Sequence, residues 1–273
     1  MRIILKLVSF IFFTCSLHSS PDVYAQDVNK LNSDGKKTGK WIVKYENGRT
    51  KYEGTFEDGR PVGEMKKYYR SGIMSAKLVY SPNSDSTSAE LFDNAARPLA
   101  SGTYLGTRKV GQWQYFHNGT LSYKQDYRND SKDGKRYVYF DDGSVFEIST
   151  WSNSVLSGEY KTFFAKNGGM ASEALYINGS LNNEAKTYHK NGNIESKGIY
   201  KNGKQEGNWE YFNEQGKHIY TLTYTDGIMQ ANSTYDSIQT KEINSLIKQI
   251  NNKRPDPENF IKDPFQYLEK TNK

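Results

Sequence analysis

Cysteine is almost missing from this sequence. The 273 residues hold one, Cys15, inside an apolar N-terminal stretch. Losing that stretch leaves no thiol, which excludes disulfides, thiol nucleophiles and Cys-ligated zinc. Long hydrophobic runs are scarce as well. The stretch 7–17, "LVSFIFFTCSL", is too short to span a bilayer as a stable anchor. Arg2 and Lys6 precede it, and Val23-Tyr24-Ala25 then sets small residues at the −3 and −1 positions of a cleavage site. The pattern predicts a signal peptide over 1–25, cut before Gln26, and an exported chain, periplasmic or extracellular. The alternative is a membrane-anchored lipoprotein acylated at Cys15, but Phe12-Phe13-Thr14 match such a site poorly.

Recognisable catalytic apparatus is lacking too. There is no G-x-S-x-G, no phosphate-binding loop and no dinucleotide fingerprint. Of the four histidines, His18 leaves with the leader. His117 and His189 share a phase of the chain's period but lie about six strands, or roughly 29 Å, apart, and His218 has no neighbouring ligand. Asp126, Asp130 and Asp133 gather in "DYRNDSKDG" without the spacing or distal Glu of a calcium loop. The sequence therefore predicts no catalytic residues, no metal and no cofactor, and a protein that is not an enzyme. Charge of one sign is not concentrated either. Lys and Arg number 37 against 31 Asp and Glu, a net +6; removing Arg2, Lys6 and Asp22 with the leader leaves +5. That modest excess is not the basic stripe of a nucleic-acid binder.

Aromatics are what the chain does have. Tyr, Phe and Trp number 21, 13 and 4, whereas Leu, Ile and Val are sparse. Stacked rings on a thin sheet are the expected core. The rings fall in two interleaved series. Tyr45, Tyr69, Phe92, Phe116, Phe140, Phe164, Tyr188 and Phe212 recur every 23 or 24 residues, and Phe56, Tyr80, Tyr104, Tyr127, Trp151, Tyr176, Tyr200 and Tyr224 every 23 to 25. Two series with one period mean eight copies of one unit. In "GKWIVKYENG" (39–48), Trp41, Val43 and Tyr45 alternate with Ile42 and Lys44, and "TKYEGTF" (50–56) returns. Asn47-Gly48 reads as a two-residue turn, as do Asp58-Gly59, Asn118-Gly119, Asp142-Gly143, Asn178-Gly179, Asn191-Gly192, Asn202-Gly203 and Asp226-Gly227. About twelve residues per strand and turn leave no room for a crossover helix, so the strands must run antiparallel.

The predicted fold is mainly β: an elongated, twisted, single-layer antiparallel meander of about eight hairpins over 34–234. Residues 26–33 read as a linker. The third unit, "SPNSDSTSAELFDNAARPLASG" (81–102), has lost its Trp and glycine pair; its Ser-rich start, 81–89, reads as a loop. In 235–273, Ile243, Leu246, Ile247 and Ile250 keep helical spacing, which predicts a short α-helical cap over the last sheet edge.

The pattern G-x-W-x-x-Y-x-x-x-G followed by Y-x-x-G, clearest in "GKWIVKYENG" with "YEGTFEDG" and in "GIYKNGKQEGNWEYFNEQG" (198–216), resembles the MORN repeat and its bacterial variant. Similar bacterial proteins are the YwqK-family antitoxins. The resemblance covers about 34–230 and implies a meander of β-hairpins that acts as a binding scaffold; for the antitoxin members it implies neutralisation of a partner toxin. A single-layer sheet leaves rings accessible, and Trp41, Trp113, Tyr115, Tyr137, Trp209 and Tyr211 are the candidate binding residues. The expected partner is another protein. The alternative is an envelope glycan or an anionic lipid head group, suited to aromatic stripes and to the +5 charge. Nucleic acid is not expected.

Overall fold

The computed structural model describes residues 27–165 and 168–230. The segment 235–273, and with it the expected helical cap, lies outside the described residues, as does the leader. Among the described residues, eighteen strands form one open sheet. They are β1 (Lys30–Leu31), β2 (Lys37–Lys44), β3 (Thr50–Glu57), β4 (Arg60–Tyr68), β5 (Met74–Tyr80), β6 (Ser86–Phe92), β7 (Pro98–Leu105), β8 (Arg108–His117) and β9 (Thr120–Arg128). There follow β10 (Ser131–Tyr139), β11 (Val145–Ser152), β12 (Val155–Phe163), β13 (Met170–Ile177), β14 (Ser180–Tyr188), β15 (Ile194–Lys201), β16 (Lys204–Phe212), β17 (His218–Thr225) and β18 (Ile228–Met229). Each strand pairs antiparallel with the next, and strand packing is chiefly between such neighbours. The mainly β, antiparallel meander is thus present, with sixteen long strands and a two-residue stub at each end.

The two faces carry different chemistry. One row crosses all sixteen long strands and runs Ile42, Glu53, Lys66, Lys77, Glu90, Ser101, Gln114, Lys124, Tyr137, Ile148, Lys161, Glu173, Lys186, Lys197, Glu210 and Thr221. Opposite charges meet across it: Lys77 lies 3.8 Å from both Glu64 and Glu90, and Lys197 lies 2.7 Å from Glu210. This is the charged face. The other face carries the second ring series, Trp113 and Trp209, and the small residues between them.

The hydrophobic core sits on that aromatic face. The second ring series is paired there with a special backbone position on the preceding strand. Phe56, Tyr80, Tyr127 and Tyr224 stand opposite Gly39, Gly63, Gly111 and Gly207, and Tyr200 stands opposite Asn183, all in the left-handed region. At Gly111, with φ of 63°, the ladder shifts register between β7 and β8, so the residue belongs to a β-bulge. Bulges of this kind sharpen twist, which an open sheet this wide requires.

The turns correct one reading. Asp58-Gly59, Asn118-Gly119, Asn178-Gly179, Asn202-Gly203 and Asp226-Gly227 have both residues at positive φ, as two-residue turns demand. At Asn47-Gly48, Asp142-Gly143 and Asn191-Gly192 only the glycine does, and the turn is longer. The side chain explains the difference. Asn47 Oδ1 accepts from the Arg49 N–H, while its Nδ2 donates to the Arg70 carbonyl in the next wide turn. Asn191 repeats this with Asn193 and Glu214. Tyr45 and Tyr69 add hydroxyl bonds to the carbonyls of Tyr68 and Phe92, so the wide turns are stitched together one repeat at a time.

Two further expectations change. The Ser-rich start of the third unit is not a loop throughout: 86–92 is β6, and only the connection before it is irregular. Thr87, Ala89 and Leu91 are buried while Ser88 and Glu90 are exposed, a period-2 alternation masked by serine. Part of the stretch read as a linker docks on the sheet. β1 pairs with β2, and Asn29 exchanges side-chain bonds with both backbone groups of Ile42. That occupies the first edge, which would otherwise present free donors and acceptors.

Candidate functional site

Two adjacent rows of the aromatic face decide where the surface is filled and where it opens. In the N-terminal half, Ala76, Leu91 and Ala100 form one row, and Leu78, Ala89 and Gly102 the other. Trp113, on β8, projects over Gly102: a Cβ there would meet indole Cδ2 at 2.3 Å. Its Nε1–H donates to the Thr103 carbonyl at 3.1 Å. Leu78, Leu91 and Trp113 are fully buried. The small residues let rings lie along the sheet, so this layer seals itself without a second one.

A shift of 96 residues superimposes this half on the C-terminal half. Trp113 becomes Trp209, whose indole Cδ2 would lie 2.2 Å from a Cβ on Gly198. The same shift turns Ala89 into Ala185, Ala100 into Ser196 and Ala76 into Ser172. Two positions lose bulk: Leu78 becomes Ala174 and Leu91 becomes Thr187. The result is a cavity of about 300 Å³. Ser172, Ala174, Ala185 and Thr187 form its floor, with Tyr160 and Tyr176 on one side and Tyr200, Trp209, Tyr211 and Tyr224 on the other. The floor's hydroxyls are matched: Thr187 bonds Ser196 at 2.8 Å, and Thr162 bonds Ser172 at 2.6 Å.

The cavity walls stay neutral at physiological pH. Burial and the Glu147 carboxylate push Tyr160 far above the usual phenol range, and its hydroxyl donates to Glu147 at 3.2 Å. Burial raises Tyr176, Tyr200 and Tyr224 as well. Glu173, Lys186 and Glu195 also border the cavity, but Glu173 and Lys186 belong to the charged-face row, where they lie 3.6 Å apart.

The six candidate residues divide. Trp209 and Tyr211 line the cavity. Trp113 and Tyr115 are not accessible: their exposures are 0% and 1%, because Gly102 and Ala100 make room for the rings beneath the surface. Trp41 is half-buried against Phe56, at 6.2 Å between ring centres. Tyr137 leaves the group altogether. It pairs with Lys124 and Ile148 on the charged face, while Val138 takes the inward position opposite Tyr123. Tyr160, Tyr176, Tyr200 and Tyr224 went unmarked as binding residues, although the change from Leu78 to Ala174 one half-array later was a readable signal.

The remaining polar candidates serve the fold. His189 Nε2 bonds the Phe212 carbonyl at 2.9 Å, in the position that Tyr45 and Tyr69 fill in earlier units. Asp126 accepts from the Lys135 N–H, Asp130 from the Lys109 N–H, and Asp133 pairs with Arg128. Backbone-bound carboxylates of this kind complete turns and bulges.

Comparison with known proteins yields little beyond the repeat. No curated protein matches the chain. The crystal structure of TarM aligns with 46% of this chain and 20% of its own length, at 10% identity and a TM-score of 0.21, a likeness too slight to carry an argument. The chain thus spans about a fifth of that protein. Residues 37–58, covering β2 and β3, and residues 181–202, covering most of β14 and β15, each match the MORN repeat variant.

Proposed function

We propose that this chain is an exported, non-enzymatic repeat scaffold that binds another protein through the aromatic face of its C-terminal half. The observation that carries the reading is the contrast between the two halves. One register and one set of rings give a sealed layer over β5–β8 and an open, ring-walled cavity over β13–β16. Concave aromatic surfaces with a polar rim are favoured places for buried anchor side chains. Neutralisation of a toxin is the specific form that the YwqK-family resemblance adds, and export would place that toxin outside the cytoplasm.

Affinity capture from envelope extract tests the reading, with the full mature chain beside an Ala174→Leu variant. The expected result is a partner retained by the wild type and depleted on the variant. Equal capture on both, or no protein above background across several salt concentrations, would overturn it. Binding to cell-wall polymer or anionic liposomes in co-sedimentation would favour the carbohydrate or lipid reading instead.

A further inference from the structure

Three rings surround a lysine ammonium at two places on the aromatic face. Lys37 Nζ lies 4.9, 5.5 and 5.1 Å from the ring centres of Trp41, Tyr52 and Phe56, and bonds the Tyr52 hydroxyl at 2.9 Å. Lys109 Nζ lies 5.5, 5.5 and 4.5 Å from Trp113, Tyr115 and Tyr127, and bonds the Tyr115 hydroxyl at 2.9 Å. Lys109 is only 5% exposed. In both cases the lysine stands four residues before the tryptophan. Ring faces attract a desolvated cation, and a phenol oxygen accepts one of its protons.

A third cage repeats the second. Trp209 and Tyr211 correspond to Trp113 and Tyr115 at the 96-residue shift, Tyr224 stands opposite Gly207 as Tyr127 stands opposite Gly111, and the ring stack of Tyr115 on Tyr123 at 4.4 Å returns as Tyr211 on Tyr220 at 4.6 Å. Tyr211 bonds the Tyr224 hydroxyl as Tyr115 bonds that of Tyr127. The position four residues before Trp209 is Gln205, a neutral amide, and the cage opens into the cavity. The chain's own ammonium is therefore missing here, and a neutral amide that lines the cavity stands in its position. Glu147, behind Tyr160, puts a carboxylate on the cavity's own face, whereas Glu173 and Lys186 stand in the charged-face row and pair there at 3.6 Å.

We infer that the Trp209–Tyr211–Tyr224 cage takes a lysine side chain of a partner protein, its ammonium placed where Lys37 and Lys109 sit in their cages. The inference rests on the protein-binding reading above and names the group recognised. An alkylammonium on a slender apolar stem suits the geometry: the stem lies over Ala174 and Ala185, and the head reaches the rings.

The test is a titration of the full mature chain with the tripeptide Gly-Lys-Gly, read by the indole N–H signal of Trp209 in a nitrogen-15 spectrum. That signal is assigned with Trp209→Phe. Gly-norleucine-Gly and phosphocholine are run in parallel. Gly-Lys-Gly should shift the signal and bind about tenfold tighter than the norleucine peptide, the size expected of a partly desolvated cation–π site. Gln205→Lys, which supplies the ammonium from within, should abolish the shift; Tyr224→Leu is the second variant, and should weaken it should Gln205→Lys not fold. Equal binding of the two peptides, no shift at all, or tighter binding of phosphocholine than of Gly-Lys-Gly would overturn the inference. Retention of a captured partner by Gln205→Lys would overturn it too while leaving the scaffold reading standing. Absence of any captured partner would remove that reading, and the peptide titration would still decide the cage.

Discussion

The indole of Trp113 occupies the space that a side chain on Gly102 would need, with Cδ2, Cε2 and Cγ all within 2.5 Å of a Cβ placed there. The ring and the missing side chain are one structural device, and Trp209 over Gly198 is its second copy. Gly102→Ala must therefore displace a fully buried tryptophan. It should cost about as much as truncating that ring, roughly 3–5 kcal/mol. The double variant Gly102→Ala with Trp113→Ala should cost less than the two single losses added together, since the second change removes a contact already lost. Urea unfolding of the four proteins checks this, and simple additivity would speak against the pairing.

Gly111 presents the opposite case. No atom lies within 4 Å of a Cβ built on it, but its φ is 63°. Gly111→Ala should cost about 1–2 kcal/mol from backbone strain alone, with Trp113 remaining buried. Gly111→Asn should cost less, because Asn tolerates this region. Chemical denaturation followed by tryptophan fluorescence separates the two.

Ala96 shows strain that the chain already carries. It sits at φ of 60°, in a turn position that Gly48, Gly72, Gly143, Gly192 and Gly216 fill elsewhere. Ala96→Gly should raise stability by about 0.5–1 kcal/mol, the relief of strain exceeding the added freedom of the unfolded glycine. A melting temperature at or below that of the wild type would contradict the assignment.

These three positions show what the sequence made legible. The two ring series and the turn glycines sufficed to find the hairpin repeat, but not the bulge at Gly111 that faces Tyr127. The ring series give the period, and the short strand-plus-turn length gives the antiparallel direction. Accessibility was not legible, because it depends on the neighbouring strand: Trp113 is buried by virtue of Gly102 and Ala100, residues about a dozen positions away. β6 was hidden by the serines before it and by Ser88 and Glu90, which face outward between Thr87, Ala89 and Leu91. The charged-face position of Tyr137 was hidden because a register shift between Lys132 and Arg136 changes which residues point inward. The cavity was hidden in the difference between two halves, not in any motif.

Alkaline titration should expose the buried phenols. Burial pushes Tyr80 up to about 12, and burial together with Glu53 pushes Tyr68 up to about 12. A folded-state value above the unfolded one near 10 favours the neutral phenol in the fold. Its contribution is fully present below pH 10 and is lost as pH rises from 10 through 12. Stability should stay level from pH 7 to 9 and then fall. Tyr80→Phe, which removes a hydroxyl with only a 4.0 Å contact to the Met65 sulfur, should flatten part of that fall. A slope identical to the wild type would show that Tyr80 ionises freely.

The measurement closest to the central claim is a calorimetric titration of the captured partner into wild-type protein and Ala174→Leu. Leucine at 174 restores the side chain that Leu78 provides in the sealed half, so the variant should melt at or above the wild-type temperature, gaining up to about 1–2 kcal/mol from the apolar surface it covers. Binding should weaken at least about tenfold, a loss of roughly 1.4 kcal/mol or more. A variant that is stable and binds the partner with unchanged affinity would show that the cavity over β13–β16 is not where this scaffold meets its partner.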